Sequence, residues 1–359
     1  MLTGQGLDKG RLLSRPTDPG ERQEEKAGAQ SRSNHVDTLA GAAVSVLNHL
    51  HLSSREERFS GMFHGSIPAL VTPFAPDGGV DEGAFRDLVE WQIAEGSSGL
   101  VACGTTGEAA TLTFAEQFAI VRVCVEQARG RVPVIAGAGS NDTRVAAQNL
   151  AAAKEAGADA ALMVPPYYNR PGQEGIIAHF EALASAGGAG APLPIILYNV
   201  PARTVTDILP ATVARLVEAY PAVFVGIKDA SGALARVSQH RGACGAGFTQ
   251  LSGNDDLALA FNAMGGTGCI SVTANCAPRL CAEFQATCAA NDMAGALALH
   301  DRLFPLHEAL FTDASPGPVK YAMTRVRPRF PDRLRLPMTP AGEAARAAVD
   351  VGLAKAGLG

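Results

Sequence analysis

The sequence predicts an α/β fold, a TIM (β/α)8 barrel followed by a C-terminal helical appendage, and three observations predict it. Short apolar, β-branched runs recur about every 30 residues from position 66 onward. A Gly-rich or polar turn and then an amphipathic stretch follow each run, the order of right-handed βα crossovers. Eight such runs can be counted, the number that closes a barrel whose chemistry sits on the loops after its strands. A doubly wound sheet is the alternative, and it ordinarily has fewer strands.

In chain order the strands are expected at 66–72, 99–102, 132–137, 160–164, 194–198, 223–228, 248–252 and 268–272. Helical stretches at 81–95, 113–129, 143–156, 174–186, 209–219 and 255–263 lie between them. After about residue 285 the strands cease. Helices at 293–311, 319–325 and 339–358 follow, punctuated by Pro316, Pro318, Pro328 and Pro337. The barrel is therefore placed at 62–285 and a C-terminal helical domain at 286–359.

Residues 1–61 differ in texture. The first 60 are polar, carry eight Lys/Arg and eight Asp/Glu, and hold one weakly apolar stretch at 39–52. They read as a disordered extension with at most one fraying helix, and their acidic residues argue against a mitochondrial transit peptide. Met62, just before the first strand, is a candidate biological start.

The formal charge of −5 and pI near 5.9 provide no basic field for a nucleic-acid backbone, and no Lys/Arg stripe supplies one. Seven cysteines without a CxxC pair indicate neither a disulfide framework nor a zinc ribbon. They read as small apolar fillers in a reducing compartment. No segment approaches the apolar length of a membrane span, so no membrane partner is expected and the protein is read as soluble and cytoplasmic.

Polar residues gather where a barrel needs them. Behind successive strands come Gly104–Glu108, Gly137–Asp142, Pro165–Arg170, Tyr198–Thr204, Lys228–Gly232, Ser252–Asp255 and Ser271–Asn275. Lys228 ends an apolar strand. A lysine at the mouth of an apolar pocket can lose its proton and form a Schiff base with a ketone, although taken alone Lys228 reads as a strand cap that snorkels to water. The Thr105–Thr106 turn offers hydroxyls and N–H groups for a carboxylate. Tyr198 can pass protons if its phenol is relayed through a hydroxyl such as Thr105, and Arg203 brings a planar fork suited to a carboxylate. Singly each has a plain structural explanation; together with Lys228 they describe carbonyl chemistry.

Two other patterns carry less. Gly137-Ala-Gly139 resembles the start of a dinucleotide fingerprint, but Asp142 stands where the third glycine belongs. The eight histidines show no HExxH or paired metal spacing, so no metal is expected.

From Met62 onward the chain resembles the dihydrodipicolinate synthase family, within the N-acetylneuraminate lyase superfamily of class I aldolases. The resemblance rests on Gly104-Thr-Thr-Gly-Glu108, Pro166-Tyr-Tyr-Asn-Arg-Pro171, Leu197-Tyr-Asn-Val-Pro-Ala-Arg-Thr204, Gly226-Ile-Lys-Asp-Ala230 and Ile270-Ser-Val-Thr-Ala-Asn275. Pro318-Val-Lys320 and Leu334-Arg-Leu-Pro-Met-Thr-Pro340 extend it toward the C-terminus.

The resemblance implies that Lys228 condenses with pyruvate and that the resulting enamine attacks L-aspartate 4-semialdehyde. Tyr198, Thr105 and Tyr168 would form a proton relay, with Tyr168 donated across a tight dimer inside a homotetramer, a dimer of dimers. Thr106 would hold the carboxylate of pyruvate and Arg203 that of the semialdehyde. The Ile270 backbone and Gly253 would shape the pocket, and no cofactor is implied.

In lysine-inhibited relatives the effector site uses a serine, two histidines and a glutamate where this chain has Ala109, Phe114, Gln117 and Val145; Asn141 and Tyr167 match. Losing a carboxylate partner for a lysine ammonium removes roughly 1.5 to 3 kcal/mol, about ten- to a hundred-fold in affinity. Weak or absent inhibition by L-lysine is therefore expected. The nearest rival reading is another pyruvate-dependent aldolase or dehydratase of the same superfamily, and a non-catalytic paralogue is the rival of a different class.

Overall fold

The computed structural model describes residues 61–186 and 192–359. The expectations for residues 1–60, a disordered extension with at most one fraying helix, lie outside the described residues.

Eight parallel strands alternate with helices. They are β1 (Gly65–Pro68), β2 (Leu100–Ala102), β3 (Val134–Gly137), β4 (Ala160–Met163), β5 (Ile195–Asn199), β6 (Phe224–Asp229), β7 (Thr249–Ser252) and β8 (Gly268–Ser271). Neighbours pair in the order β1-β8-β7-β6-β5-β4-β3-β2, and a parallel bridge between Ala69 and Val101 joins β1 back to β2. The barrel is thereby closed. Every expected strand is present, with ends that differ by a few residues.

The helices follow the same order: α1 (Glu82–Ala94), α2 (Phe114–Ala128), α3 (Thr143–Glu155), α4 (Gln173–Ser185), the short α5 (Pro201–Thr204), α6 (Pro210–Ala219), α7 (Ala235–Cys244) and α8 (Ala258–Ala263). Their starts are written in the sequence. Asp81 accepts a hydrogen bond from the Ala84 amide at α1, and Thr113 and Glu116 form a reciprocal capping box at α2. Asp142, the residue that spoils the dinucleotide pattern, caps α3 by accepting from the Arg144 amide. Beyond the barrel come α9 (Pro278–Ala289), α10 (Met293–Ala309), α11 (Gly317–Val326) and α12 (Glu343–Ala356). Barrel and C-terminal helices form one compact unit.

Two apolar clusters follow from the period-two alternation of strand side chains. Ile67, Val101, Ile135, Leu162, Ile196, Val225, Leu251 and Ile270, one from each strand, fill the barrel interior. Their neighbours along the chain, such as Leu197, Phe224 and Ile227, face the helices. In β6 the alternation is reset: Val225 points inward, yet Ile227, two residues on, points outward. The pairing with β5 slips at the same place, Ile195 opposing Phe224 and Ile196 opposing Gly226. Such a bulge flips every later side chain of its strand. As a result Lys228 enters the barrel instead of facing the helices.

Candidate active site

Lys228 and Tyr198 are register partners on β6 and β5, so both project from the C-terminal ends of adjacent strands into the barrel interior. The lysine is 5 % exposed and the tyrosine 7 %. Lys228 Nζ sits 4.3 Å from the centroid of the Tyr198 ring, whose electron-rich face steadies a cation without neutralising it. Among the described residues Lys228 has no carboxylate partner, whereas the second buried lysine, Lys320, pairs with Glu108 at 2.6 Å. The two buried lysines thus differ in kind. Lys320 is tied in place, and burial still pulls its ammonium below the ordinary lysine range, against the opposing pull of Glu108. Lys228 has no such tie among the described residues.

Gly253 lies where the lysine stem passes: a Cβ there would stand 3.0 Å from Lys228 Cε and 2.6 Å from the Ala230 Cβ. A side chain at 253 would push the amine off its line. Ile270 is fully buried on β8 and faces the interior beside Ile67. The strand end beyond it is fixed by Asp255, which accepts from Ser271 Oγ at 2.5 Å and from the Val272 amide at 2.9 Å.

The Gly104–Glu108 turn buries Thr106 and leaves Thr105 exposed. Neither Thr105 Oγ1 nor Tyr198 Oη has a hydrogen-bond partner among the described residues, so the structure does not join these two groups of the expected relay directly. Tyr168, the third, is 89 % exposed and held at a positive φ of 71°. That conformation is costly for a bulky residue, and among the described residues the side chain makes no hydrogen bond or ring contact that would repay the cost. Arg203, on α5, is also exposed and makes no ion pair among the described residues. Lys228, Tyr198, Gly253 and Ile270 therefore gather in the barrel, with Thr106 buried behind β2, while Thr105, Tyr168 and Arg203 stand on its solvent-facing loops.

Sequence reasoning passed over the groups that hold these loops. Glu108, at a left-handed φ of 58°, ends the threonine turn. Besides Lys320, its carboxylate accepts from the Arg335 amide at 3.1 Å. Lys320 also donates to the Arg333 carbonyl, and Arg335 pairs with Glu116. Lys320 and Arg335 sit in the two C-terminal motifs noted in the sequence, which gave their positions but no partner.

The model of the dihydrodipicolinate synthetase family matches residues 62–356. The chain belongs to this family. A 4-hydroxy-tetrahydrodipicolinate synthase of Rhizorhabdus wittichii is 66% identical over 297 residues, 83% of this chain and 100% of the relative. The namesake enzyme of Novosphingobium aromaticivorans is 63% identical over 83% of this chain and 99% of the relative. Among solved members of the family, the chloride-inhibited dihydrodipicolinate synthase of Acinetobacter baumannii, complexed with pyruvate, is 43% identical with a TM-score of 0.78. It is matched over 82% of this chain and 99% of its own. A synthase described as the first monomeric variant is 35% identical over 83% of this chain and 98% of its own, with the same TM-score. Among the described residues no helix is long and apolar enough to cross a membrane, and no group of three or more His, Cys, Asp or Glu residues is placed to hold a metal ion.

Proposed function

We propose that the protein condenses pyruvate with L-aspartate 4-semialdehyde to give 4-hydroxy-tetrahydrodipicolinate, a step of lysine and diaminopimelate biosynthesis. The observation that carries this reading is the buried Lys228 amine, without a carboxylate partner among the described residues and 4.3 Å from the Tyr198 ring, in a chain of this family. The neutral amine adds to the ketone of pyruvate and water leaves, giving an imine. Loss of a methyl proton makes the enamine, whose carbon attacks the aldehyde. The substrate's own amine then displaces Lys228 as the ring closes. The imine is its own electron sink, so the steps as written call for no cofactor.

Thr106 holds the carboxylate of pyruvate and Arg203, through its planar fork, that of the semialdehyde. Gly253 and the Ile270 backbone shape the pocket. Tyr198 and Thr105 pass protons together with Tyr168, which enters the site of a partner subunit. The near-complete exposure and left-handed backbone of Tyr168 support that last assignment. On this reading the assembly is a homotetramer built from tight dimers. The compartment is the cytoplasm, in keeping with free cysteines at all seven positions, six of them buried.

Turnover with aspartate semialdehyde, set beside sugar-derived aldehydes and 4-hydroxy-2-oxoglutarate under the same conditions, tests the reading. The semialdehyde is expected to give the highest kcat/KM, and a higher value for any of the others would replace the proposed substrate.

The same loops argue for weak feedback. Phe114 and Val145 are exposed apolar side chains, and the Gln117 amide already donates to the Ala109 and Leu112 carbonyls. None of them offers an anion to a lysine ammonium. Half-inhibition is expected only above about millimolar L-lysine, and half-inhibition at sub-millimolar lysine in a steady-state assay would contradict it.

A further inference from the structure

Lys228 and Tyr198 are each followed by a polar residue that the strand alternation turns away from the cavity. Asp229 and Asn199 are register partners on the outer face of the barrel. Asp229 is buried; its Oδ1 accepts from the amide and hydroxyl of Ser231. Its Oδ2 faces Arg236 Nη1 at 3.9 Å. Arg236 lies in the first turn of α7, where a cation opposes the helix dipole, so its place is explained by its partners.

Those partners close the excursion that carries Arg203. Arg236 grips both oxygens of Asp207, at 2.8 and 2.6 Å, and donates to the Ile208 carbonyl. Asn199 donates to Asp207 at 2.9 Å and accepts from the Ile208 amide at 3.0 Å. One residue back, Thr206 Oγ1 donates to the Pro166 carbonyl, at the root of the Tyr167–Tyr168 loop. A single guanidinium therefore ties the strand end bearing Lys228 to the loop bearing Arg203, and through Thr206 to the tyrosine loop. The Thr106 turn is held separately, by Glu108 and Lys320.

We propose that Arg236 is a positioning residue for the aldehyde half of the reaction. It sets the placement of Arg203 relative to Lys228 and leaves pyruvate capture alone. This rests on the reading that Arg203 holds the carboxylate of the semialdehyde. A bidentate, charge-assisted grip fixes a loop more tightly than a single point charge does, so lysine at 236 keeps the charge and loses the geometry.

The test compares the full-length enzyme with Arg236→Lys and Arg236→Met, using two readouts. In both variants KM for aspartate semialdehyde is expected to rise about ten- to a hundred-fold, less in Arg236→Lys, the range of a lost charge-assisted contact. Borohydride trapping of pyruvate and KM for pyruvate should move by less than about three-fold, since the lost grip does not touch the pyruvate half. Equal rises in both KM values, or no rise in either, overturn the proposal. If Arg236→Met fails to fold, Arg236→Lys alone decides, and if that also fails the residue is merely structural and the proposal is overturned. The wild-type enzyme separates this from the underlying reading: failure to trap pyruvate or to turn over the semialdehyde there sinks the proposed function itself.

Discussion

Replacing Lys228 by alanine is expected to abolish borohydride trapping of pyruvate and to lower kcat/KM by roughly 10^4- to 10^6-fold, the scale of removing a covalent nucleophile. The size of the effect follows from the absence of a substitute. Among the described residues the other buried lysine is committed to Glu108 and belongs to the C-terminal helices. Lys228→Arg keeps the positive charge over Tyr198 but stays protonated and cannot form the imine, so it should be as inactive as the alanine variant. Mass spectrometry after reduction reads the adduct directly, and an adduct on Lys228→Ala would move the nucleophile elsewhere.

The same variant reports on Tyr168. If that tyrosine serves the neighbouring subunit, Lys228→Ala and Tyr168→Phe lie in different polypeptides of a mixed dimer, and one of its two sites has both groups intact. Mixing the two variants under subunit exchange should recover part of the activity that neither shows alone. No recovery, with exchange verified, would assign Tyr168 to its own chain.

Much of this site could be read from the sequence because it depends on spacing. The eight runs fixed the strands to within a few residues, and the polar group behind each run could only be a loop at the C-terminal rim. Where the reading stopped, long-range geometry had taken over. The first strand is expected to reach 72 but ends at Pro68: the Ala69 and Leu70 amides still donate to the Ser271 and Val101 carbonyls as single bridging contacts, and the Val71 amide then turns to the Asn275 side chain. Helix α7 was not singled out: Ala235–Cys244 buries only Val237, His240 and Cys244, too thin a stripe to show a helical period. Regular alternation from Val225 would have turned Lys228 toward the helices. The sequence marked the slip only by Gly226 in mid-strand, a common sign of a bulge. Arg335 and Glu108 are 227 positions apart, and no local pattern connects them.

Lys320→Met is expected to destabilise the fold by about 3–5 kcal/mol, the cost of orphaning a buried charge. Glu108 and Lys320 are almost wholly shielded from water at 1% and 0% side-chain exposure, so neither charge can be rehydrated when its partner is lost. Glu108→Gln should be destabilising for the converse reason, because it leaves the ammonium against the Phe74 ring with neutral carbonyl acceptors in place of its carboxylate. The double variant Glu108→Gln/Lys320→Met removes both charges, and a buried pair replaced by neutral groups is often tolerated. It should regain most of the lost stability, and urea unfolding of the four proteins gives the coupling directly. Additive losses would mean that the two side chains do not act as a pair. Recovery would make the C-terminal helices a neutral-tolerant clamp on the threonine turn. In that case the double variant should keep Schiff-base formation at Lys228, because the side-chain bonds of Glu108 and Lys320 run to each other, to Arg333 and to Arg335, and not to the strands that carry the lysine and Tyr198.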